Sequence, residues 1–242
     1  MGLAPYNPDG YIVIISENAL IEMCLSSLEA YSVSHKGNSG YKTGLEAYGL
    51  LFGHESALPN GKTVYCIEFV SVDTSTERER DCCTPNHKAL ELKRDLLTSF
   101  FPQYEFIGDF HSHPCREAYR KVVKHTYRFS PADYLHVEGN SDFWMQHGYR
   151  CGIVITITLL KNKTKSKNRW IDSSTIEFTL GNYRLFLKGY VAALDEDEEK
   201  IELVDEKNMN LYYPALLGLV GEFTRFGRGI QRPGLRHVCG KI

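Results

Sequence analysis

The chain has 242 residues, of which 43% are hydrophobic and 24% are charged, and its net charge is −2. This length fits one large domain or one domain with an extension, and the absence of a basic excess argues against a nucleic-acid partner. No apolar run reaches membrane-spanning length, and the N-terminus lacks the pattern of a signal peptide, so we expect no membrane partner. The seven cysteines are irregularly spaced, without a Cys-x-x-Cys pair, which favours free thiols and a cytoplasmic location.

The predicted elements alternate between strands and helices over the first 190 residues. Apolar, β-branched runs predict strands over 11–15, 48–52, 63–72, 105–113, 150–160, 175–180 and 183–187. Helical spacing of apolar residues predicts helices over 17–31, with Ser16 as its N-cap, 87–101 and 130–138. Polar composition predicts loops over 32–44, 73–86 and 115–129, and a solvated hairpin tip over 161–169. The fold class is therefore α/β or α+β, a mixed sheet with interspersed helices in a single domain over 10–190.

The C-terminal part of the chain, 191–242, has a different composition. Residues 194–207 contain eight acidic side chains, whereas residues 208–242 contain five Arg or Lys and a single Glu. This pattern predicts an acidic linker, an amphipathic helix near 214–226 and a loose basic end. A tail that docks on a partner or associates with itself is the alternative.

Two histidines lie in the strand predicted over 105–113. Side chains two residues apart in a strand project from the same face, so His111 and His113 can reach one ion. A catalytic zinc has three protein ligands and an open position for water, and Asp133 is the best candidate for the third ligand. Each feature also has an ordinary interpretation: a His-x-His pair can be structural, and Ser130, Pro131 and Asp133 have the pattern of a helix start with a capping box. The two roles of that helix start are compatible.

An isolated glutamate, Glu46, precedes the strand predicted over 48–52. Alone it is consistent with an ordinary charge at a strand edge. Beside a zinc ion, which lowers the pKa of a bound water to about 7, an unligated carboxylate would take the proton of the water and pass it to the leaving amine. The hydroxyl of Ser130 could donate a hydrogen bond to the developing oxyanion.

The order Glu, His-x-His-Pro, Ser-x-x-Asp resembles the JAMM, or MPN-plus, family of JAB-domain zinc metallopeptidases. The surroundings are similar too: Glu46 precedes a Gly-Leu-Leu strand, and the histidines follow an apolar strand that contains a glycine. The resemblance covers residues 10–190. It implies an MPN/JAB-type, cytidine-deaminase-like mixed β-sheet flanked by helices, with one zinc per chain bound by His111, His113 and Asp133. It further implies Glu46 as general acid/base and Ser130 as the oxyanion donor.

The resemblance implies an isopeptidase that hydrolyses the bond after the C-terminal tail of a ubiquitin or ubiquitin-like protein. It points to a prokaryotic deubiquitinase-like member, with E1-like and E2-like enzymes as pathway partners and antiviral defence as a setting. Two alternatives stay open. The first is a catalytically silent MPN-type binding scaffold. The second is a peptidase of the same family that acts on a sulfur-carrier or short peptide tail.

The chain departs from the family pattern in one place. Fifteen residues, 115–129, separate Pro114 from Ser130, a longer spacing than is usual in the family. This basic insert lies beside the expected cleft, where it could contact substrate or cover the metal. Within it, Cys115 or His125 could also ligate zinc and silence the enzyme. The adjacent Cys82 and Cys83 are expected to be free thiols.

Overall fold

The centre of the molecule is a large, curled mixed sheet with helices on both faces. The computed structural model describes residues 6–37, 40–79, 83–115, 124–160, 168–195, 197 and 199–213. The strands in these ranges are β1 (Tyr11–Ile15), β2 (His35–Gly37), β3 (Gly40–Lys42), β4 (Tyr48–Ala57), β5 (Thr63–Val72), β6 (Glu77–Arg78), β7 (Cys83–Thr84), β8 (Glu105–Pro114), β9 (Cys151–Leu159), β10 (Arg169–Asp172), β11 (Thr175–Leu180), β12 (Tyr183–Leu194), β13 (Ile201–Leu203) and β14 (Met209–Tyr212). The α-helices are α1 (Glu17–Ser32), α2 (His87–Phe100), α3 (Pro131–Val137) and α4 (Ser141–His147).

Ten of the strands form the main sheet, in the order β10-β11-β12-β9-β8-β4-β5-β1-β14, with β13 added to β12. The pairs β1–β5, β1–β14 and β8–β9 are parallel, and the other pairs of this sheet are antiparallel. The sheet is therefore mixed, and the predicted α/β class is confirmed at this level.

The first strand and helix form where the sequence predicts them. β1 alternates buried and half-buried residues, the pattern of a pleated strand. The Ser16 hydroxyl accepts a hydrogen bond from the Ala19 N–H at 3.2 Å, so one orphan donor of α1 is satisfied by its N-cap. The helix then buries Ala19, Leu20 and Met23 against the sheet.

The apolar residues form two clusters, one on each face of the sheet. One cluster contains the buried side of α1. The other contains Leu90 of α2, Val137 of α3 and Trp144 of α4. Alternate residues of β9 divide between them, with Ile153 in the first cluster and Val154 in the second. The sheet is thus covered by α1 on one side and by α2, α3 and α4 on the other.

Two bulges at β4 determine which face each strand residue occupies. Leu51 lies opposite Gly108 and Phe52 opposite Phe106, so β8 carries one extra residue at this point. A second register shift lies between β4 and β5. Gly108 permits the bulge between β4 and β8, since a Cβ at this position would lie 1.8 Å from the Cys151 carbonyl oxygen. An extra residue reverses side-chain alternation, so Phe106 and the odd-numbered residues that follow Gly108 share one face.

Several segments predicted as irregular contain short elements. Residues 32–44 include the antiparallel pair β2–β3, and residues 73–86 include the pair β6–β7. Residues 124–127, inside the predicted loop over 115–129, form a 3₁₀ helix. The sequence analysis did not predict α4. These elements are two to seven residues long, too short to show a periodic apolar pattern.

Strand pairing corrects two further predictions. The segment 161–169 does not connect a hairpin, because β9 pairs with β12 whereas β10 pairs with β11. Residues 191–213, part of the expected linker and extension, continue the sheet: β12 runs to Leu194, and β14 pairs with β1. Met209 and Leu211 of β14 are buried. The acidic composition of the preceding residues predicted a linker here, so β14 was not predicted. The helix predicted near 214–226 lies outside the described residues.

Within the described ranges, none of the helices combines the length and the apolar character needed to cross a membrane.

Candidate metal centre

The odd-numbered residues at the end of β8 project from the face that α3 covers. His111 is buried there, and His113 is half-buried. Their Nε2 atoms lie 3.0 Å apart, and their rings are 4.8 Å apart between centroids. The prediction that the two histidines share one face is confirmed, since the bulge in β8 lies before both of them.

The carboxylate of Asp133 completes a compact cluster with the two imidazoles. Its Oδ1 lies 3.2 Å from the His111 Nε2, and its Oδ2 lies 3.3 Å from the His113 Nε2. Zinc bonds of about 2.0–2.1 Å in a tetrahedron place neighbouring ligand atoms about 3.3–3.4 Å apart. The Nε2–Nε2 distance and the distance from each imidazole to its nearest carboxylate oxygen are close to that edge length, and with one ligand atom per residue the three atoms lie within 4.8 Å of one another. Among the described residues, this is the group of His, Cys, Asp or Glu side chains whose ligand atoms converge enough to hold a metal ion.

Asp133 is held in this position by the start of α3. The Ser130 N–H donates to the Asp133 Oδ2 at 2.6 Å, and the Asp133 N–H donates to the Ser130 Oγ at 3.3 Å. These reciprocal bonds are a capping box, with Pro131 as the first helical residue. Capping and presentation of the carboxylate to the histidines therefore occur together, as the sequence pattern allows.

The pKa shifts of Asp133 and His113 favour their metal-binding forms, whereas the shift of His111 favours its protonated form. Burial would raise the pKa of the Asp133 carboxyl, but hydrogen bonds from both histidines outweigh it and lower this pKa strongly. Burial lowers the pKa of His113. Burial acts in the same direction on His111, but the hydrogen bond and charge of Asp133, together with the charges of Asp109 and Glu46, outweigh it and raise the pKa. An ionised carboxylate and neutral imidazoles are the forms that bind metal.

Glu46 is brought to the site by the middle residue of the histidine motif. Ser112 points away from the metal cluster, and its Oγ accepts a hydrogen bond from the Ala47 N–H at 2.8 Å. Its own N–H donates to the Ala47 carbonyl at 2.9 Å. Next to this two-way contact, Glu46 is only 6% exposed, and its charge acts on His111. Ser112 thus fixes the strand of the histidines to the segment that carries the carboxylate.

A cysteine contacts Glu46 from the short strand β7. Burial raises the pKa of the Cys83 thiol, and the charge of Glu46 and a hydrogen bond to its carboxylate raise it further. The thiol is therefore protonated at neutral pH and donates to Glu46. Cys83 is a free thiol, as predicted, whereas Cys82 lies outside the described residues. The sequence analysis assigned Cys83 no role at the site, because its proximity to Glu46 depends on the β6–β7 pair.

Two further groups support His111 and the helix that carries Asp133. The ring of Phe129 stacks on the His111 ring at 5.8 Å between centroids. Asp109 is buried on the same face of β8, where it accepts hydrogen bonds from the Tyr48 and Tyr149 hydroxyls at 3.1 and 2.9 Å. Its Oδ2 also lies 3.4 Å from the Nε2 of His136, which belongs to α3. These contacts join the strand of the two histidines to the helix of the third ligand.

The described residues of the insert over 115–129 supply no ligand to the metal cluster. Cys115 is not among the converging ligand groups, and its backbone N–H donates to the Ile157 carbonyl at 2.8 Å. Its thiol is free. The side chain of His125 and residues 116–123 lie outside the described residues, so the prediction that His125 could silence the site stays a prediction.

The cluster has the donor set that a divalent cation prefers, and one side of it is accessible, since the His113 and Asp133 side chains are 18% and 17% exposed.

No protein-family model matches the chain, and no curated protein matches it. Among solved structures, the chain is similar to a protein of Desulfitobacterium hafniense whose solution structure is known, with 14% identity and a TM-score of 0.38. The match covers 83% of this chain and 93% of that one.

Proposed function

We propose that the protein is a zinc-dependent peptidase of the JAMM type, with an MPN-like fold, acting in the cytoplasm. The observation that carries this proposal is the convergence of His111, His113 and Asp133 beside a buried, unligated Glu46. Two neutral imidazoles and one carboxylate form the ligand set of a catalytic zinc, which keeps a position for water. None of the described cysteines forms a disulfide with another, which agrees with a reducing compartment.

Zinc held by these ligands would supply a Lewis acid and lower the pKa of a bound water towards neutrality. Side chains of the protein carry out the proton transfers and stabilise the oxyanion. Glu46 takes the proton of the attacking water and delivers it to the leaving amine. The Ser130 hydroxyl uses its oxygen to accept the Asp133 N–H, so its own proton is available to the oxyanion. Cys83 holds the Glu46 carboxylate by a hydrogen bond.

The proposed substrate is the C-terminal tail of a ubiquitin or ubiquitin-like protein, cut from a lysine or from a following peptide. Such a tail is extended and rich in glycine, and extended peptides bind through backbone hydrogen bonds that a narrow cleft can provide. E1-like and E2-like enzymes of the same conjugation pathway would be its functional partners.

The test compares the wild-type protein with Glu46→Gln, after zinc loading, on ubiquitin-like proteins that carry a C-terminal peptide extension. We expect about one zinc per chain in both proteins and a loss of cleavage of about 10²–10⁴-fold in the variant. Glu79→Gln, which removes an exposed carboxylate of the Lys42–Glu79 ion pair, is the matched control. Equal cleavage by wild type and Glu46→Gln would contradict the mechanism. Wild-type protein that takes up zinc but cleaves none of the substrates would contradict the proposed substrate class.

A further inference from the structure

An open groove lies between α1 and the end of α2, along the last part of β5. It is lined by Asn18 and Glu22 of α1, by residues 68–70 of β5, by Leu97 and Phe101 at the end of α2, and by Tyr104 before β8. β1 ends at Ile15 beside Ile67, so no strand of the described part of the chain pairs with the last residues of β5 on that side. Phe69 is 40% exposed and Phe101 is 47% exposed. Aromatic rings this accessible in a concave site mark a surface suited to an apolar partner.

The charges of this groove are acidic. Its two carboxylates are Glu22 and Glu68, and no basic side chain is among its described lining residues. A complementary occupant would therefore combine apolar side chains with positive charge.

The described chain ends close to one flank of α1. Tyr213 follows β14 and is 3% exposed in the same apolar cluster as the buried side of α1. Burial raises the pKa of Tyr213, and the nearby Glu17 at the start of α1 raises it further. At 100° per residue, Glu17 lies on one flank of the helix, and Asn18 and Glu22 lie on the other.

The face of α1 between these two flanks is apolar and exposed. Ile21 is 48% exposed and Leu25 is 60% exposed. A helix with its side chains is about 10–12 Å across, and an extended chain covers about 3.3–3.6 Å per residue. A chain leaving Tyr213 would therefore cross this face within a few residues.

The segment 214–242 has the composition that the groove requires. Its first half contains Leu219, Val220, Phe223 and Phe226, and the basic residues Arg225 and Arg228 accompany them. The whole segment contains five Arg or Lys residues and a single Glu. We propose that residues 214–242 cross the exposed face of α1 and bind in the groove between α1, β5 and α2 of the same chain. The apolar side chains pack on Phe69 and Phe101, and the arginines pair with Glu22 and Glu68.

The test places a photoreactive benzophenone amino acid at position 101 of the full-length chain and maps its crosslinks by mass spectrometry. We expect crosslinks to 214–242 at the mass of a single chain, with a yield that does not depend on protein concentration. The same probe at Leu58, which is 40% exposed on the β4–β5 turn, is the matched control. Reversing both groove charges in Glu22→Lys/Glu68→Lys should lower the yield by about two- to fivefold per ion pair, whereas Glu79→Lys should not.

Three results would overturn the proposal. Crosslinks at the mass of a dimer would assign the groove to a second copy of the chain. Crosslinks from position 101 no more frequent than those from position 58 would show that the segment does not occupy the groove. An unchanged yield in the charge-reversal variant would show that the arginines do not pair with Glu22 and Glu68, which contradicts the proposed binding mode. None of these results depends on zinc or on cleavage, so this inference and the proposed function fail independently.

Discussion

The candidate metal centre and the far edge of the sheet both bury charged groups, but they satisfy them differently. On β11 and β12, Glu177 and Lys188 are fully buried and Arg184 is 1% exposed. Each cation there has acceptors nearby: the Arg184 Nη1 donates to the Thr179 hydroxyl at 2.6 Å and its Nε lies 3.3 Å from Glu177, and the Lys188 Nζ donates to two hydroxyls at 2.7 and 3.0 Å. At the metal centre, two atoms of the same kind, the Nε2 atoms of two histidines, face each other.

This difference shows which kind of buried polar cluster indicates a ligand-binding site. Where a buried donor lies beside an acceptor, the two groups satisfy each other by hydrogen bonding and no ligand is needed. Two imidazole nitrogens and a carboxylate oxygen that converge on one point can share a proton only in part, whereas a cation satisfies all three. Accessibility also matters, because a ligand has to reach the cluster, and the His113 and Asp133 side chains are 18% and 17% exposed.

The largest expected effect is the loss of metal from His111→Ala/His113→Ala. Removing two of three ligands should reduce zinc from about one per chain to near zero, as measured by elemental analysis after zinc loading and dialysis. His54→Ala, which removes an exposed imidazole, should keep the full zinc content. Equal zinc in the double variant and the wild type would disprove the site.

At the far edge of the sheet, Glu177→Gln should act on stability and leave zinc unchanged. The variant leaves Arg184 buried beside a neutral partner, and breaking a buried ion pair costs about 3–5 kcal/mol. Denaturant unfolding measures this free energy. Glu79→Gln, in the exposed pair with Lys42, should change it by less than about 1 kcal/mol. A small effect of Glu177→Gln would show that the charge of Glu177 does not stabilise the buried Arg184.

Ser112→Ala is expected to lower both the stability of the protein and its cleavage activity, with effects of intermediate size. The buried Ala47 N–H loses its acceptor, at a cost of about 1–3 kcal/mol. Zinc content should be retained, while cleavage should fall because Glu46 is no longer held against β8. Ser26→Ala, which removes an exposed hydroxyl that bonds only to its own helix, should leave both unchanged. If Ser112→Ala kept full cleavage, the positioning role of Ser112 would be wrong.

The smallest change in stability is expected for Ser130→Gly. Glycine is itself a tolerated N-cap, so its cost is a few tenths of a kcal/mol, against about 0.5–2 kcal/mol for Ser130→Ala. The glycine variant thus removes the hydroxyl with α3 nearly intact. Cleavage should still fall by about 10²–10³-fold if this hydroxyl serves the oxyanion. Full cleavage by Ser130→Gly would restrict Ser130 to its capping role.

Much of the fold could be predicted from the sequence wherever the signal is local. β1 and β5 have the predicted bounds, because β-branched runs bounded by polar residues specify strands. α1 begins after the predicted cap Ser16. The pairing of β9 with β12, rather than within a hairpin, was missed because pairing partners are distant in sequence.

The candidate site shows the same difference between features with a local sequence signal and features that depend on distant residues. His111, His113 and Asp133 were predicted, because strand periodicity and the capping pattern are both local. Ser112 and Cys83 were not recognised as supports of Glu46. Their contacts depend on which strands lie side by side and on the bulges that set the register. Composition and spacing do not contain that information.

The capping box at the start of α3 has a kinetic consequence. The Asp133 carboxylate closes the first turn of this seven-residue helix and also faces both histidines. A metal ion bound there would be released most readily through states in which that turn has opened. The residence time of the ion would then follow the local opening of α3, and amide hydrogen exchange in 131–137 would slow on metal loading. A substitution that weakens this turn would shorten the residence time even with all three ligands present.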